Sequence, residues 1–172
     1  MHDDTSTDKR KRILEAVLAV LARDGISGVT MRAVAREAEV ALGLATYYFE
    51  DKDGLVAAAL ERIADSDAAL VEPTPGAEPS EALRVALHRI ADPDFLSVPY
   101  LALRLQLWSL AGVDERYAAI NQAAQRRYLT GLVALLAAAR PDLSPGEVGR
   151  RANDILIVQN GVWLTSVLVP DP

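Results

Sequence analysis

Cysteine is absent from the 172-residue chain. That excludes disulfides, thiolate zinc sites and cysteine nucleophiles. Histidine is nearly absent as well: His2 and His88 are the two present, and neither has the sequence context of a serine–histidine–aspartate triad. There is no glycine-rich phosphate loop and no metal-spaced ligand set, so no enzyme, cofactor or metal site is expected. No stretch approaches the roughly 18 consecutive apolar residues of a membrane span, and polar residues 1–12 hold no apolar signal core. A soluble, cytoplasmic protein without membrane contact is the expectation. Net positive charge is lacking too. The formal charge is −6, whereas generic nucleic-acid binders are usually basic.

Apolar residues are plentiful, at 51% of the chain, which is enough to build a core and to exclude global disorder. Their spacing is helical throughout. Ile13, Leu14, Val17, Leu18 and Leu21 form one stripe of a first helix over about 8–23, after a polar arm over 1–7 that is expected to fray. Gly25 follows as a candidate for the left-handed helix end. Thr30 caps a short second helix over 31–38, Glu39-Val40-Ala41 is a three-residue break, and a third short helix spans 42–49. Glu50-Asp51 opens a fourth helix, with Leu55, Val56, Ala59, Leu60 and Ile63 on its apolar face.

Pro73 to Pro79 is the clearest linker in the chain. Ser80 is expected to cap a helix to about Ala91, with Leu83, Leu87 and Ile90 inward. Another helix is expected from about Asp94 to Leu110, with a kink near Pro99 and Gly112 at its end. A long helix follows over 114–139, and Ser144-Pro145 starts the last one, with proline at its first position. No segment alternates as a strand. The fold class is therefore all-α: an N-terminal three-helix helix-turn-helix domain at 1–52, then a helical ligand-binding and dimerisation domain at 53–172.

The informative block runs from Thr30 to Leu55. Helix, three-residue turn, helix is the pattern whose second helix enters the major groove. Tyr47 and Tyr48 are adjacent on that second helix, and a 3.6-residue period cannot bury both equally. At least one hydroxyl is therefore expected at the surface, within reach of a phosphate oxygen. Residues 8–52 hold eight basic against seven acidic side chains, a net of +1. Any DNA contact must rest on where individual charges sit, because a non-specific electrostatic grip would be weak.

Residues 9–55 resemble the N-terminal domain of the TetR family of regulators. The resemblance is carried by Arg10, Ile13-Leu14, Ala16, Gly25, Thr30, Val34-Ala35, Ala38, Val40, Gly43, Tyr47-Tyr48-Phe49, Lys52 and Leu55. It implies a DNA-contacting role for Thr30 and for Arg32, the latter at a guanine edge or a phosphate. It places Leu42, Gly43 and Leu44 against bases, and Tyr47, Tyr48 and Lys52 against the sugar–phosphate backbone. Three positions depart from the family pattern. Glu39 stands where glycine is usual, Ala41 where a hydroxyl cap is usual, and Thr46 where an aromatic is common. Leu42 and Leu44 cannot hydrogen-bond, so readout there falls to thymine methyls, backbone or DNA shape.

The C-terminal half resembles the family in architecture and length. Leu129, Leu132, Val133, Leu136, Ile155, Leu156, Val158, Val162 and Val167 give its last two helices an apolar load wider than one stripe. Such helices need cover on more than one face, and the resemblance implies that a second copy supplies it in a four-helix homodimer interface. His88, Arg104, Trp108, Asn121 and Trp163 are candidate pocket residues for an unknown small-molecule effector, with core packing as their plainer role. The expected function is a ligand-responsive repressor that binds palindromic double-stranded operator DNA as a dimer. The alternative is a helical protein-interaction module on the same fold without DNA binding.

Overall fold

The computed structural model describes residues 3–92 and 98–169, without the side chains of residues 3–6, 98 and 99. Eight helices make up the described residues: α1 (Asp3–Gly28), α2 (Met31–Glu37), α3 (Leu42–Phe49), α4 (Lys52–Leu70), α5 (Pro79–Ile90), α6 (Val98–Ala111), α7 (Glu115–Ala139) and α8 (Pro145–Leu168). The all-α class expected from the spacing is what forms.

The differences from expectation lie at helix ends. α1 reaches back to Asp3, into the arm expected to fray, because a nucleated helix gains a hydrogen bond per residue and no proline or glycine interrupts it there. Gly25 leaves helical geometry at φ 68°, ψ −175°, the positive φ that glycine tolerates. α5 starts one residue before Ser80: Glu78 is its N-cap and Pro79 its first residue, a position where the missing N–H costs nothing. Pro99 is the second described residue of α6, so the kink expected near it depends on residues that are not described. The start expected near Asp94 lies outside the described residues.

The chain divides into two compact units. The first joins the described residues up to Arg62 with Ala102–Ile120. Its α1, α2 and α3 pack on one another. The α1 stripe of Ile13, Val17, Val20 and Leu21 is fully buried, as are Val29, Val34, Ala45 and Leu55. Each large aliphatic chain of that set contributes about 1.5–3 kcal/mol of hydrophobic stabilisation. Arg23 on α1 pairs with Glu37 on α2 at 2.9 Å. Leu103 and Leu107 are also buried.

The second unit holds the described residues of Ile63–Leu101 and those from Asn121 onward. Tyr128 on α7 donates its hydroxyl to Gln159 Oε1 on α8, both buried. Arg127 donates to the Ala64 carbonyl and to Asp65 at 2.8 and 2.7 Å. Gly131 allows a close approach: a Cβ there would lie 2.6 Å from Val71 Cγ2. Arg89 closes the proline-rich linker by donating to the Glu72 carbonyl and to Thr74 Oγ1. Ser144 and Glu147 form a reciprocal capping box at the head of α8. The buried stripe of α5 is Ala82, Ala86 and Ile90, so Leu87, expected inward, is 39% exposed.

Candidate nucleic-acid interface

The interface begins at a cap. Thr30 is extended and its Oγ1 accepts the Ala33 N–H at 3.0 Å, which starts α2. Arg32 and Arg36 follow, both exposed, while Val34 and Ala35 anchor the helix in the core. α2 ends in a tight motif. Val40 N–H bonds back to the Ala35 carbonyl at 2.9 Å, and Glu39 N–H to the Arg36 carbonyl at 3.1 Å. That pair is the Schellman arrangement, which needs a left-handed residue between helix and exit. Glu39 supplies it at φ 52°, so the glutamate that replaces the usual glycine adopts a conformation in which its Cβ is strained.

Arg12 supports this turn from α1. Its Nε donates to the Ala38 carbonyl at 2.9 Å and its Nη2 to the Glu39 carbonyl at 3.1 Å. Arg10 lies with its guanidinium 5.3 Å from the Phe49 ring centroid, a favourable cation–π position. Two members of the basic run at 9–12 are therefore engaged in holding the motif together. The run itself gave no sign of this, because both partners are distant in sequence.

Ala41 is the N-cap of α3 and makes no side-chain cap hydrogen bond. Ala45 and Phe49 are its buried anchors. On the other side Leu42 is 44% and Tyr47 78% exposed; Gly43 and Thr46 are also exposed. Leu44, expected against bases with Leu42 and Gly43, is half-buried. Tyr48 is half-buried too, edge-on to Tyr47 with centroids 5.2 Å apart. The helical period thus sends Tyr47 to the surface and draws Tyr48 toward Phe49.

The exit from α3 is tighter still. Glu50 sits at φ 60°, ψ −64°, and Asp51 N–H bonds back to the Phe49 carbonyl at 2.6 Å. This is a γ-turn of the rare, strained hand. Asp51 then caps α4 by accepting the Gly54 N–H at 2.9 Å. Gly54 is obligatory, since a Cβ there would stand 2.2 Å from the Phe49 carbonyl oxygen. Lys52 folds back and donates to the Ile26 carbonyl at 2.9 Å, which leaves further ammonium protons for a phosphate.

The start of α7 grips the same junction. Arg116 bonds Asp53 at 2.9 Å and Asp114 at 3.1 Å, and the buried Tyr117 donates to Asp53 at 3.2 Å. The Arg116 hydrogen bond, and then that of Tyr117, hold the Asp53 carboxyl below its ordinary range. Burial, reinforced by the neighbouring Asp53 charge, pushes the Tyr117 phenol up to about 12. Nothing in the spacing of Asp53, Arg116 and Tyr117 reveals this junction, which links positions more than sixty residues apart.

The candidate pocket residues are dispersed. In the first unit the Arg104 guanidinium, 4% exposed as a residue, stands 5.1 Å from the Trp108 ring. In the second, Asn121 is half-buried and Trp163 buried. His88 is exposed in an open surface hollow with Arg84, Val85 and Arg89, because the buried side of α5 is its alanine stripe. Among the described residues, no helix is long and apolar enough to cross a membrane.

A capped α2, a left-handed turn and an α3 with one anchored and one open side define a helix-turn-helix DNA-binding transcriptional regulator. Residues 13–59 match the family model of bacterial regulatory proteins of the tetR family. The HTH-type transcriptional regulator BetI of Burkholderia thailandensis is 28% identical over 169 residues, covering 95% of this chain and 84% of that protein. These likenesses support the reading of the chain as a TetR-type transcriptional regulator. Its fold matches a TetR transcription regulator from Haloarcula marismortui at TM-score 0.80, with 20% identity over 96% of this chain and 89% of that one. It also matches a transcriptional regulator from Saccharomonospora viridis in complex with choline at TM-score 0.76, with 18% identity over 95% and 88%. These relatives are named regulators, not enzymes, and do not favour an interaction module that has lost DNA binding.

Proposed function

We propose that this regulator is a homodimeric, effector-responsive repressor of a palindromic operator. The observation that carries the dimer is on α8. Ile157, Val158, Val162, Leu164 and Leu168 are between 41% and 68% exposed, and they recur at helical spacing along the helix. Gly161 stands among them with no atom within 4 Å of where its Cβ would be, so a second helix has room to approach closely. Exposed alanines at 119, 123, 134, 137 and 138 give α7 a similarly small surface. A pair of such helices from each of two copies would bury the stripe. A two-fold dimer then presents two α3 helices to half-sites about 34–36 Å apart or somewhat more.

In this reading residues 1–52 read DNA and 53–172 dimerise and bind the effector. Thr30, Arg32, Tyr47, Tyr48 and Lys52 hold the sugar–phosphate backbone, with Arg32 also able to reach a guanine edge. Leu42, Gly43 and Leu44 meet bases. The effector is a small amphipathic molecule, and choline, held by the Saccharomonospora viridis protein, is the natural first probe. Of the candidate contacts, Arg104 and Trp108 share the first unit and are the pair proposed to meet the effector; His88, Asn121 and Trp163 belong to the second unit. Gln106 Oε1, buried without a hydrogen-bond partner among the described residues, is a further acceptor. Binding displaces α4, and a difference of a few kcal/mol in effector affinity between the two states suffices to release DNA.

Sedimentation of the wild type and of the double variant Val158→Asp, Val162→Asp tests the dimer. The expected result is a wild-type dimer and a monomeric variant of unchanged helicity that no longer retains a palindromic duplex. A monomeric wild type bound to an asymmetric site would refute it. The effector proposal fails if no small amphipathic compound, choline included, changes DNA affinity.

A further inference from the structure

We propose that α3 reads its operator through thymine methyl groups, an inference that rests on the DNA-binding role of the helix-turn-helix. The outward side of α3 consists of Leu42, Gly43, Thr46 and Tyr47. The helix, Leu42–Phe49, contains no arginine, lysine, asparagine, glutamine or carboxylate. Those are the side chains that match the hydrogen-bonding edges of guanine, adenine and cytosine in the major groove. Thr46 offers the bases no donor, because its Oγ1 donates to the Leu42 carbonyl of its own helix at 3.1 Å and keeps only acceptor capacity. Its hydroxyl proton is spent there, and its methyl remains. Leu42 and Thr46 lie one turn apart on the same side of the helix, so an isobutyl and a methyl group form a short apolar strip.

Gly43 completes the surface. Nothing lies within 4 Å of the position a Cβ would take, so the helix backbone beside Leu42 is open to close approach. The major groove offers such a strip one apolar partner, the C5 methyl of thymine. A G·C pair opposite Leu42 would have its cytosine amino group desolvated without an acceptor, which is a net loss. The operator half-site therefore carries thymines opposite Leu42 and Thr46. Direct guanine contacts, where present, come from Arg32 on α2, outside this strip.

The test begins with selection of duplexes from a random-sequence library by the full-length wild-type protein. Each thymine of the enriched half-site is then replaced singly by deoxyuridine, which removes the methyl and leaves base pairing intact. Affinity should fall about fourfold at the two thymines facing the strip, the equivalent of about 0.8 kcal/mol for one buried carbon. The measurement is made on wild-type protein, so it does not depend on a variant folding. In Leu42→Ala the penalty at one of these thymines should vanish while the other persists. Gly43→Ala, which meets no neighbour in the protein, should weaken the selected duplex by filling the space a methyl group uses. Enriched duplexes that bind equally well with uracil, or a guanine-rich consensus opposite α3, would overturn the methyl reading and leave DNA recognition standing. A library from which nothing is enriched would overturn both.

Discussion

At the scale of single residues, two positions carry backbone strain on either side of the recognition helix. Glu39 holds a left-handed conformation at φ 52° within a motif that glycine ordinarily completes. Glu39→Gly should therefore raise stability by roughly 0.5–1 kcal/mol, the strain relieved exceeding the backbone entropy glycine loses. Urea unfolding reads this directly as a higher midpoint at unchanged slope. Gly54→Ala should do the opposite. A Cβ placed 2.2 Å from the Phe49 carbonyl oxygen meets backbone that cannot swing away, and a loss of about 2 kcal/mol or more is expected. An alanine variant as stable as wild type would mean that the γ-turn at Glu50 yields easily. The first of these strains was legible in the sequence, because a glutamate stood where a turn wants glycine. The second was not, since Glu50 and Gly54 matter through a hydrogen bond between Asp51 and Phe49 that no spacing rule reports.

At the scale of elements, local signals placed the helices well and long-range contacts poorly. Thr30, Ser144 and Pro145 marked helix starts because capping is a matter of neighbouring residues. The α3 bounds followed from the short turn before it. His88 and Leu87 were harder to place: the apolar residues of α5 are spread around it, and the packing chose Ala82, Ala86 and Ile90 as the inner stripe. The junction of Asp53 with Arg116 and Tyr117 was invisible for the same reason. It makes a pH prediction. The Tyr117 phenol, raised to about 12 by burial, keeps its proton in the folded state when an unfolded tyrosine, near 10, has lost it. Its contribution is present below pH 10 and is lost as pH climbs toward 12, at up to about 1.4 kcal/mol per pH unit. Tyr117→Phe should flatten the fall in stability across that interval relative to wild type. Equal slopes for both proteins would show that the phenol is not held this way. Asp53, with its carboxyl depressed, acts at the opposite end, where acidification through its folded-state pKa releases Arg116.

At the scale of the whole molecule, the charge balance and the character of α3 belong together. The chain is acidic, the segment around the helix-turn-helix is close to neutral, and the recognition helix carries no charge at all. Arg10, Arg12 and Arg23 are engaged in holding the motif in shape. Arg32, Lys52 and a few neighbours remain to meet phosphates. A protein that neutralises few phosphates displaces few condensed counterions from the double helix, so its affinity declines only gently as salt accumulates around it. Under the proposed effector-responsive reading, occupancy of the operator would follow the effector more than the ionic strength.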